Sequence, residues 1–145
     1  MEKELHSLDE VAAAAAGFTD VLSPKESGAT LVTLSGELGA GKTTFTQNVA
    51  RALGVEGAVT SPTFVLMKIY ALPEGKRFKR LVHVDAYRLK GGKELAPLGF
   101  DEVLEDAGNL VLLEWPEQVA DGLPVADHEL KLEVLSDISR KLIYG

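Results

Sequence analysis

The amino-acid sequence predicts an α/β fold, with a mostly parallel central sheet flanked by helices and antiparallel strands near the C-terminal end. Three observations indicate this fold. A β-branched run, TLVTLS at 30–35, leads into the glycine-rich segment GELGAGKTT at 36–44, and an amphipathic helix pattern follows. Two further apolar runs, LVHVD at 81–85 and LVLLE at 110–114, each end in a carboxylate. In sheets of this kind, ligands bind at the carboxyl ends of the strands.

The first element along the chain is predicted to be a helix. Ser7 is followed three residues later by Glu10, which is the pattern of a capping box. An alanine-rich stretch then runs from Leu8 to Ala16, and Gly17 is predicted to end the helix.

The glycine-rich segment lies between a predicted strand at 30–35 and a predicted helix that begins near Lys42. After Lys42, apolar residues repeat every four positions, as on one face of an amphipathic helix, at Phe45, Val49 and Leu53. Gly54 is the expected C-terminal stop. The order is therefore strand, loop, helix.

The rest of the chain alternates between predicted strands and helical or turn segments. In order, these are an extended segment at 63–72, an exposed polar turn at 73–80, strands at 81–85 and 110–114 with a helix between them at 100–105, and a hairpin of 128–135 with 140–144. A chain of this length supports one core, so we expect a single domain over residues 1–145.

Composition excludes several classes of function. The 145 residues are 46% hydrophobic and 26% charged, include no cysteine, and carry a net charge of -7. A charged N-terminal segment and short apolar runs predict a cytoplasmic protein without membrane contact. Because the acidic balance repels a phosphate backbone, we expect RNA to be reached only through a partner protein.

The segment at 36–44 matches the phosphate-binding pattern G-x-x-x-x-G-K-[ST], so the fold is predicted to be of the P-loop NTPase type. Glycines let the backbone N–H groups turn toward phosphate oxygens, and the following helix directs its positive end at the same anion. Lys42 is predicted to reach the β- and γ-phosphates, and the Thr43 hydroxyl to bind Mg²⁺. The predicted nucleotide-binding residues are Glu37, Leu38, Gly39, Ala40, Gly41, Lys42, Thr43 and Thr44.

The loop alone leaves the base and the reaction open. The guanine-reading patterns D-x-x-G and N-K-x-D are missing from the sequence, which favours ATP or ADP as the ligand. A small-molecule kinase is an alternative, although its usual clustered arginines are missing, since the five arginines are scattered. No arginine stands near the motifs in the position of a catalytic finger.

Two carboxylates are candidates for binding the metal or orienting the attacking water. Asp85 and Glu114 each follow a predicted buried strand, and the sequence does not rank them. His83 lies on the same face of its strand as Asp85 and is expected to be a half-buried, hydrogen-bonded residue. Trp115, the sole tryptophan, is expected in the core, near the nucleotide or on a partner surface.

With these motifs in order, the chain resembles the bacterial TsaE (YjeE) family, the ATPase component of tRNA threonylcarbamoyladenosine biosynthesis. The similarity rests on five segments: GELGAGKTTF at 36–45, SPTF at 61–64, HVDAYRL at 83–89, LGFDEVL at 98–104 and EWPE at 114–117. Their combined order and spacing are highly specific.

The resemblance implies an Mg²⁺-dependent ATPase that works with two proteins, TsaB and TsaD, and supports their repeated turnover at adenosine 37 of tRNA. It assigns Lys42 and Thr43 to phosphate and Mg²⁺, with Lys42 also catalytic, and places Asp85 and Glu114 at the metal and the attacking water. It further implies switch or partner-surface roles for a group of five residues: Ser61, Thr63, Tyr87, Arg88 and Trp115. A binding module that signals by conformation, with hydrolysis too slow to matter, is the remaining alternative.

Overall fold

The computed structural model describes residues 2–56 and 66–144. These residues form one seven-stranded sheet and three α-helices, joined by turns and short 3₁₀ segments. In chain order the elements are β1 (Glu2–Leu5), α1 (Leu8–Asp20), β2 (Thr30–Ser35), α2 (Lys42–Ala52), β3 (Met67–Ala71), β4 (Arg80–Asp85), α3 (Phe100–Glu105), β5 (Asn109–Glu114), β6 (His128–Val134) and β7 (Arg140–Tyr144).

The sheet has the order β1-β7-β6-β2-β5-β4-β3. Its four central strands, β6, β2, β5 and β4, are mutually parallel, whereas β3 at one edge and the β7 and β1 pairings at the other are antiparallel. The predicted fold class is confirmed. Because β2 lies between β5 and β6, its carboxyl end is flanked by the ends of both neighbours.

Each face of the sheet has its own apolar core. Helices α1 and α2 pack on one face, where Phe18, Phe45 and Leu112 belong to one buried cluster. Helix α3 and the turns around it cover the opposite face, where Phe100 and Val111 belong to a second cluster. The central strands are buried on both sides, which explains why they read as nearly continuous apolar runs.

The first helix is longer than predicted. Its capping box is present, since Ser7 Oγ accepts from the backbone N–H of Glu10 at 3.1 Å. However, α1 passes through Gly17 and ends at Asp20. The prediction that Gly17 ends the helix was wrong, because the next residue, Phe18, is 2% exposed and packs in the core, and this packing outweighs the helical cost of one glycine.

One other local prediction needs correction, and one strand was missed. The segment at 73–80 is not wholly an exposed turn, since Phe78 is 2% exposed within the core and Arg80 already belongs to β4. Strand β1 was not predicted at all. Within residues 2–56 and 66–144, no helix is both long and apolar enough to cross a bilayer.

Candidate functional site

The glycine-rich loop connects the buried strand β2 to helix α2, and two of its glycines are required by geometry. Gly36 has a φ of 150°, and a Cβ there would lie 2.6 Å from the backbone oxygen of Leu132. Gly41, with a φ of 96°, immediately precedes α2. Only glycine adopts such angles at little cost, so these positions let the loop turn tightly beside β6 and present the N-terminus of α2.

Lys42 is buried inside this loop. Its Nζ donates to the backbone oxygens of Gly36 and Glu37, the latter at 2.9 Å, and lies 4.1 Å from the centroid of the Trp115 ring. Burial lowers the pKa of Lys42 below its usual 10.5, while four carboxylates oppose that shift: Glu114, Glu117, Asp85 and Glu37. The ammonium group is therefore held where an anionic ligand would interact with it strongly.

The two candidate carboxylates lie side by side. Asp85 and Glu114 are register partners on the parallel strands β4 and β5. Glu114 is 2% exposed, and the Nε2 of His83, which is fully buried, donates to its Oε2 at 2.5 Å. Asp85 is partly exposed and accepts from the backbone N–H of Tyr87 at 3.0 Å. The prediction that His83 is half-buried was wrong, since His83 lies directly behind Glu114.

Trp115 follows Glu114 in an unusual backbone conformation. With φ 62° and ψ 52°, it is the only non-glycine residue with a positive φ in the described parts of the chain. This left-handed turn directs the indole over Lys42 and against the Tyr87 ring, with the two ring centroids 4.9 Å apart. The strained conformation is the kind of feature that is found at functional sites.

These groups surround a single cavity of about 450 Å³. Its lining includes most of the predicted site residues: Leu38, Gly39, Gly41, Lys42, Thr43, Thr44, Asp85, Tyr87, Glu114 and Trp115. The glycine-rich loop, a hydroxyl at the start of a helix, two carboxylates and an aromatic ring thus meet at the carboxyl ends of β2, β4 and β5.

Comparison with known proteins identifies the family. The sequence model described as "Threonylcarbamoyl adenosine biosynthesis protein TsaE" matches residues 5–142, nearly the whole chain. The chain belongs to the TsaE family. The resemblance found in the sequence is confirmed.

Relatives in the TsaE family extend this result. A "tRNA threonylcarbamoyladenosine biosynthesis protein TsaE" from Streptomyces coelicolor is 47% identical over 72% of this chain and 67% of its own length. One of the same description from Rickettsia bellii is 36% identical over 94% of this chain and 88% of its own. The match thus spans about two thirds of the Streptomyces relative. Among solved structures, YdiB of Bacillus subtilis is similar with a TM-score of 0.77 at 28% identity, covering 99% of this chain and 83% of that chain.

Not every predicted residue lines the cavity in this TsaE family member. Glu37 contributes its carbonyl to Lys42, and Ala40, within the loop, is fully buried. Arg88 is exposed and does not line the cavity. Ser61 and Thr63, the predicted switch residues, lie outside the described residues.

One lining residue of this TsaE site was missed by the sequence analysis. Arg140, the first residue of β7, reaches the loop, where its Nη2 donates to the backbone oxygen of Gly39 at 3.1 Å. No motif in the sequence marks it, because it is brought there by the pairing of β7 with β6. Its distance from the loop along the chain hid this contact.

A second cavity of about 400 Å³ adjoins the first. The two share Gly41, Thr44 and Arg140 as lining residues. Most of the remaining wall is contributed by the start of α1 and the β6–β7 turn, including the apolar side chains of Leu8, Val11 and Ile138. The loop in this TsaE family member therefore separates a polar, acidic cavity from a mainly apolar one.

The buried pair of His83 and Glu114 in this TsaE family member leads to a prediction about stability. Replacing His83 with alanine leaves the Glu114 carboxylate buried without its partner, so we expect a loss of about 3 kcal/mol in the free energy of unfolding. Urea denaturation measures this. His6→Ala is the matched control, because His6 pairs with Glu4 at the exposed surface, and its loss should stay under about 0.5 kcal/mol. Equal losses in the two variants would contradict a special role for the buried pair.

Proposed function

We propose that this TsaE-family chain binds and hydrolyses ATP with Mg²⁺, and that hydrolysis supports repeated turnover of tRNA threonylcarbamoyladenosine formation at adenosine 37 together with TsaB and TsaD. The observation that carries the proposal is the meeting of Lys42, Thr43, Asp85 and Glu114 around one cavity at the phosphate-binding pattern. The family to which the chain belongs supplies the pathway.

The adjoining cavity supports a nucleotide rather than a phosphate or a small phosphorylated acid as the ligand. Thr44 and Gly41 line both cavities, so a ligand held by the loop has an apolar space next to it. A nucleobase is a flat and largely apolar group that suits such a site. Adenine is favoured because the N-K-x-D pattern that reads guanine is missing from the sequence.

The donor set fits Mg²⁺. This ion prefers oxygen ligands and takes much of its octahedral shell from water and substrate phosphates, so one or two carboxylates suffice. Thr43, Asp85 and Glu114 would hold it at the carboxyl edge of the sheet. Consistent with such a sparse set, no group of three or more carboxylate, histidine or cysteine ligands occurs in residues 2–56 and 66–144. When bound, Mg²⁺ neutralises charge on the transferred phosphoryl group.

The other roles in hydrolysis would belong to side chains of the protein. Lys42 places a desolvated positive charge at the phosphates. Of the two carboxylates, the one that does not contact the metal directly would orient the attacking water and accept its proton. Glu114 is held from behind by His83, so its position is fixed before the ligand binds.

The negative net charge of the chain supports the proposal that its partner proteins, and not the chain itself, bind the tRNA. With a net charge of -7, the isolated protein repels nucleic acid, so TsaB and TsaD would hold the substrate. ATP hydrolysis would then return the partner enzyme to a form that can start another turnover, and it would not take part in the chemistry at the modified base.

Reconstitution tests the proposal. tRNA modification is followed with TsaB and TsaD, with and without this chain, at tRNA in excess over enzyme. We expect one turnover or fewer without the chain, many with it, and phosphate release that rises when the partners are added. Sustained turnover with a non-hydrolysable ATP analogue would favour the alternative of a binding module. A phosphorylated metabolite formed by the chain alone would favour a kinase.

Tryptophan fluorescence offers a direct measure of nucleotide binding. Trp115 is the only tryptophan, and its ring contacts Lys42, which must reorient toward phosphate. We expect the emission to change on addition of Mg²⁺-ATP and to saturate with the affinity that calorimetry gives. Lys42→Ala is the control, because it should abolish the change. An unchanged spectrum at calorimetric saturation would show that the contact persists in the bound state.

A further inference from the structure

Two loops that follow neighbouring strands each contribute one aromatic ring to the wall of the 450 Å³ cavity. Tyr87 follows β4, Trp115 follows β5, and both residues line this cavity. Their ring centroids lie 4.9 Å apart, and the Trp115 ring in turn lies over the Nζ of Lys42. Tyr87 is 44% exposed, so burial alone does not fix its ring against Trp115. The position of the ring therefore depends on what holds the backbone of Tyr87.

The backbone of Tyr87 is held by side chains on both sides. Its N–H donates to Oδ1 of Asp85 at 3.0 Å, and its carbonyl oxygen accepts from Nε2 of Gln118 at 3.1 Å. The first bond stays within the turn after β4, whereas the second joins this turn to the 3₁₀ segment Pro116–Gln118 that follows Trp115. Gln118 lines neither this cavity nor the adjoining one. Its side chain therefore acts on the cavity wall through Tyr87.

The same two loops are also joined on either side of this bond. Where the strands end, the N–H of Ala86 donates to the carbonyl oxygen of Glu114 at 3.0 Å. Farther along, the two backbones touch, because a Cβ on Gly92 would lie 2.2 Å from the backbone nitrogen of Gly122. The hydrogen bond from Gln118 lies between these two contacts, at the residue that carries the exposed ring.

We propose that Gln118 is a positioning residue, which holds the Tyr87 ring against Trp115 and thereby fixes the aromatic wall of the cavity that receives the nucleotide. This inference rests on the proposed function, because it requires a nucleotide in this cavity. The two carboxylates are fixed separately, since Asp85 and Glu114 are register partners in the sheet. Loss of the bond from Gln118 therefore weakens nucleotide binding and leaves hydrolysis of the bound nucleotide nearly unchanged.

Time-resolved fluorescence anisotropy of Trp115, the only tryptophan, tests the positioning in the nucleotide-free protein. Gln118→Met keeps the length of the side chain and removes the donor, so we expect fast local motion of the indole to take a larger share of the decay. Gln118→Glu offers only acceptors to the carbonyl and should give at least as large a rise. Gln118→Lys keeps a donor and should restore the wild-type decay.

A double variant shows whether Gln118 acts through Tyr87. Tyr87→Leu removes the ring, so adding Gln118→Met to it should change the decay no further. Thr19→Val is the matched control, because it also removes one side-chain donor to a backbone carbonyl, that of Ala16, and lies on α1. Its decay should equal that of wild type. Additive effects, no recovery in Gln118→Lys, or equal decays of Gln118→Met and wild type would overturn the inference.

Calorimetry with Mg²⁺-ATP tests the consequence for binding. We expect Gln118→Met to weaken the affinity by about fivefold, the usual effect of one neutral hydrogen bond, and Thr19→Val to leave it unchanged. The rate of phosphate release in the assembled complex at saturating ATP should stay within about twofold of wild type. An unchanged affinity, or a loss confined to this rate, would refute the positioning role. If wild-type protein bound no nucleotide, the proposed function would fail instead, and the anisotropy of the free protein would still report on Gln118.

Discussion

Replacing Lys42 with alanine is expected to weaken binding of Mg²⁺-ATP by about a thousandfold. The ammonium group is already desolvated in the loop, and two charge-assisted hydrogen bonds to phosphate are together worth about 3–6 kcal/mol. Calorimetry measures the loss. Lys76→Ala is the control, because Lys76 is exposed in the turn between β3 and β4, and its affinity should equal that of wild type. If Lys42→Ala bound Mg²⁺-ATP as tightly as wild type, the loop would not be the nucleotide-binding site.

The same residue predicts a pH dependence. Burial lowers the pKa of Lys42, so without ligand its charge is lost at a lower pH than that of an exposed lysine. Because the folded-state pKa is lowered, the charged form destabilises the free protein, and this cost is relieved as the pH rises from the lowered pKa toward 10.5. We expect the negative charge of a bound nucleotide to raise the pKa of Lys42 again. ATP binding in the alkaline range should therefore take up protons, which calorimetry in buffers of different ionisation enthalpy detects.

Glu114→Gln and Asp85→Asn are each expected to lower ATP hydrolysis by roughly a hundredfold or more while leaving the protein folded. Each change removes a charge and nearly keeps the shape, and a glutamine at position 114 can still accept a hydrogen bond from His83. Phosphate release in the assembled complex measures the effect. Glu105→Gln is the control, since Glu105 is exposed at the end of α3 and does not line the cavity.

The two variants also separate the roles of the carboxylates. A direct metal ligand should lose Mg²⁺-dependent affinity for the nucleotide, whereas a residue that orients water should keep that affinity and lose only hydrolysis. Either carboxylate would be excluded from the site if its variant kept near-normal hydrolysis in the assembled complex.

Local patterns predicted the centre of the molecule well. The strand at Thr30–Ser35, the helix that starts at Lys42 and the strands ending in Asp85 and Glu114 occur as expected. These elements are buried on both sides or carry an amphipathic stripe, so the pattern of apolar residues in their sequences indicates the secondary structure.

The edges of the molecule were harder to predict. Strand β1 buries only Leu5 of its four residues, so its charged sequence gives little sign of a strand. Its existence depends on the partner strand β7 and not on its own propensity. Arg140 was missed for a related reason. Its contact with Gly39 joins residues that are 101 positions apart in the sequence, and it forms only once β7 has paired with β6.

The pairing of β1 with β7 has a consequence for folding during synthesis. Of the seven described strands, β1 is made before the others, yet it is hydrogen-bonded in the sheet only to β7, which is made after the other six. At the usual rate of about 5–20 residues per second, the wait between them is on the order of ten seconds. Strand β2 also waits, since both of its partners, β5 and β6, follow much later. The nascent chain therefore carries unpaired strand edges through most of the synthesis of this sheet, and such edges are prone to aggregate even though the finished sheet is well packed.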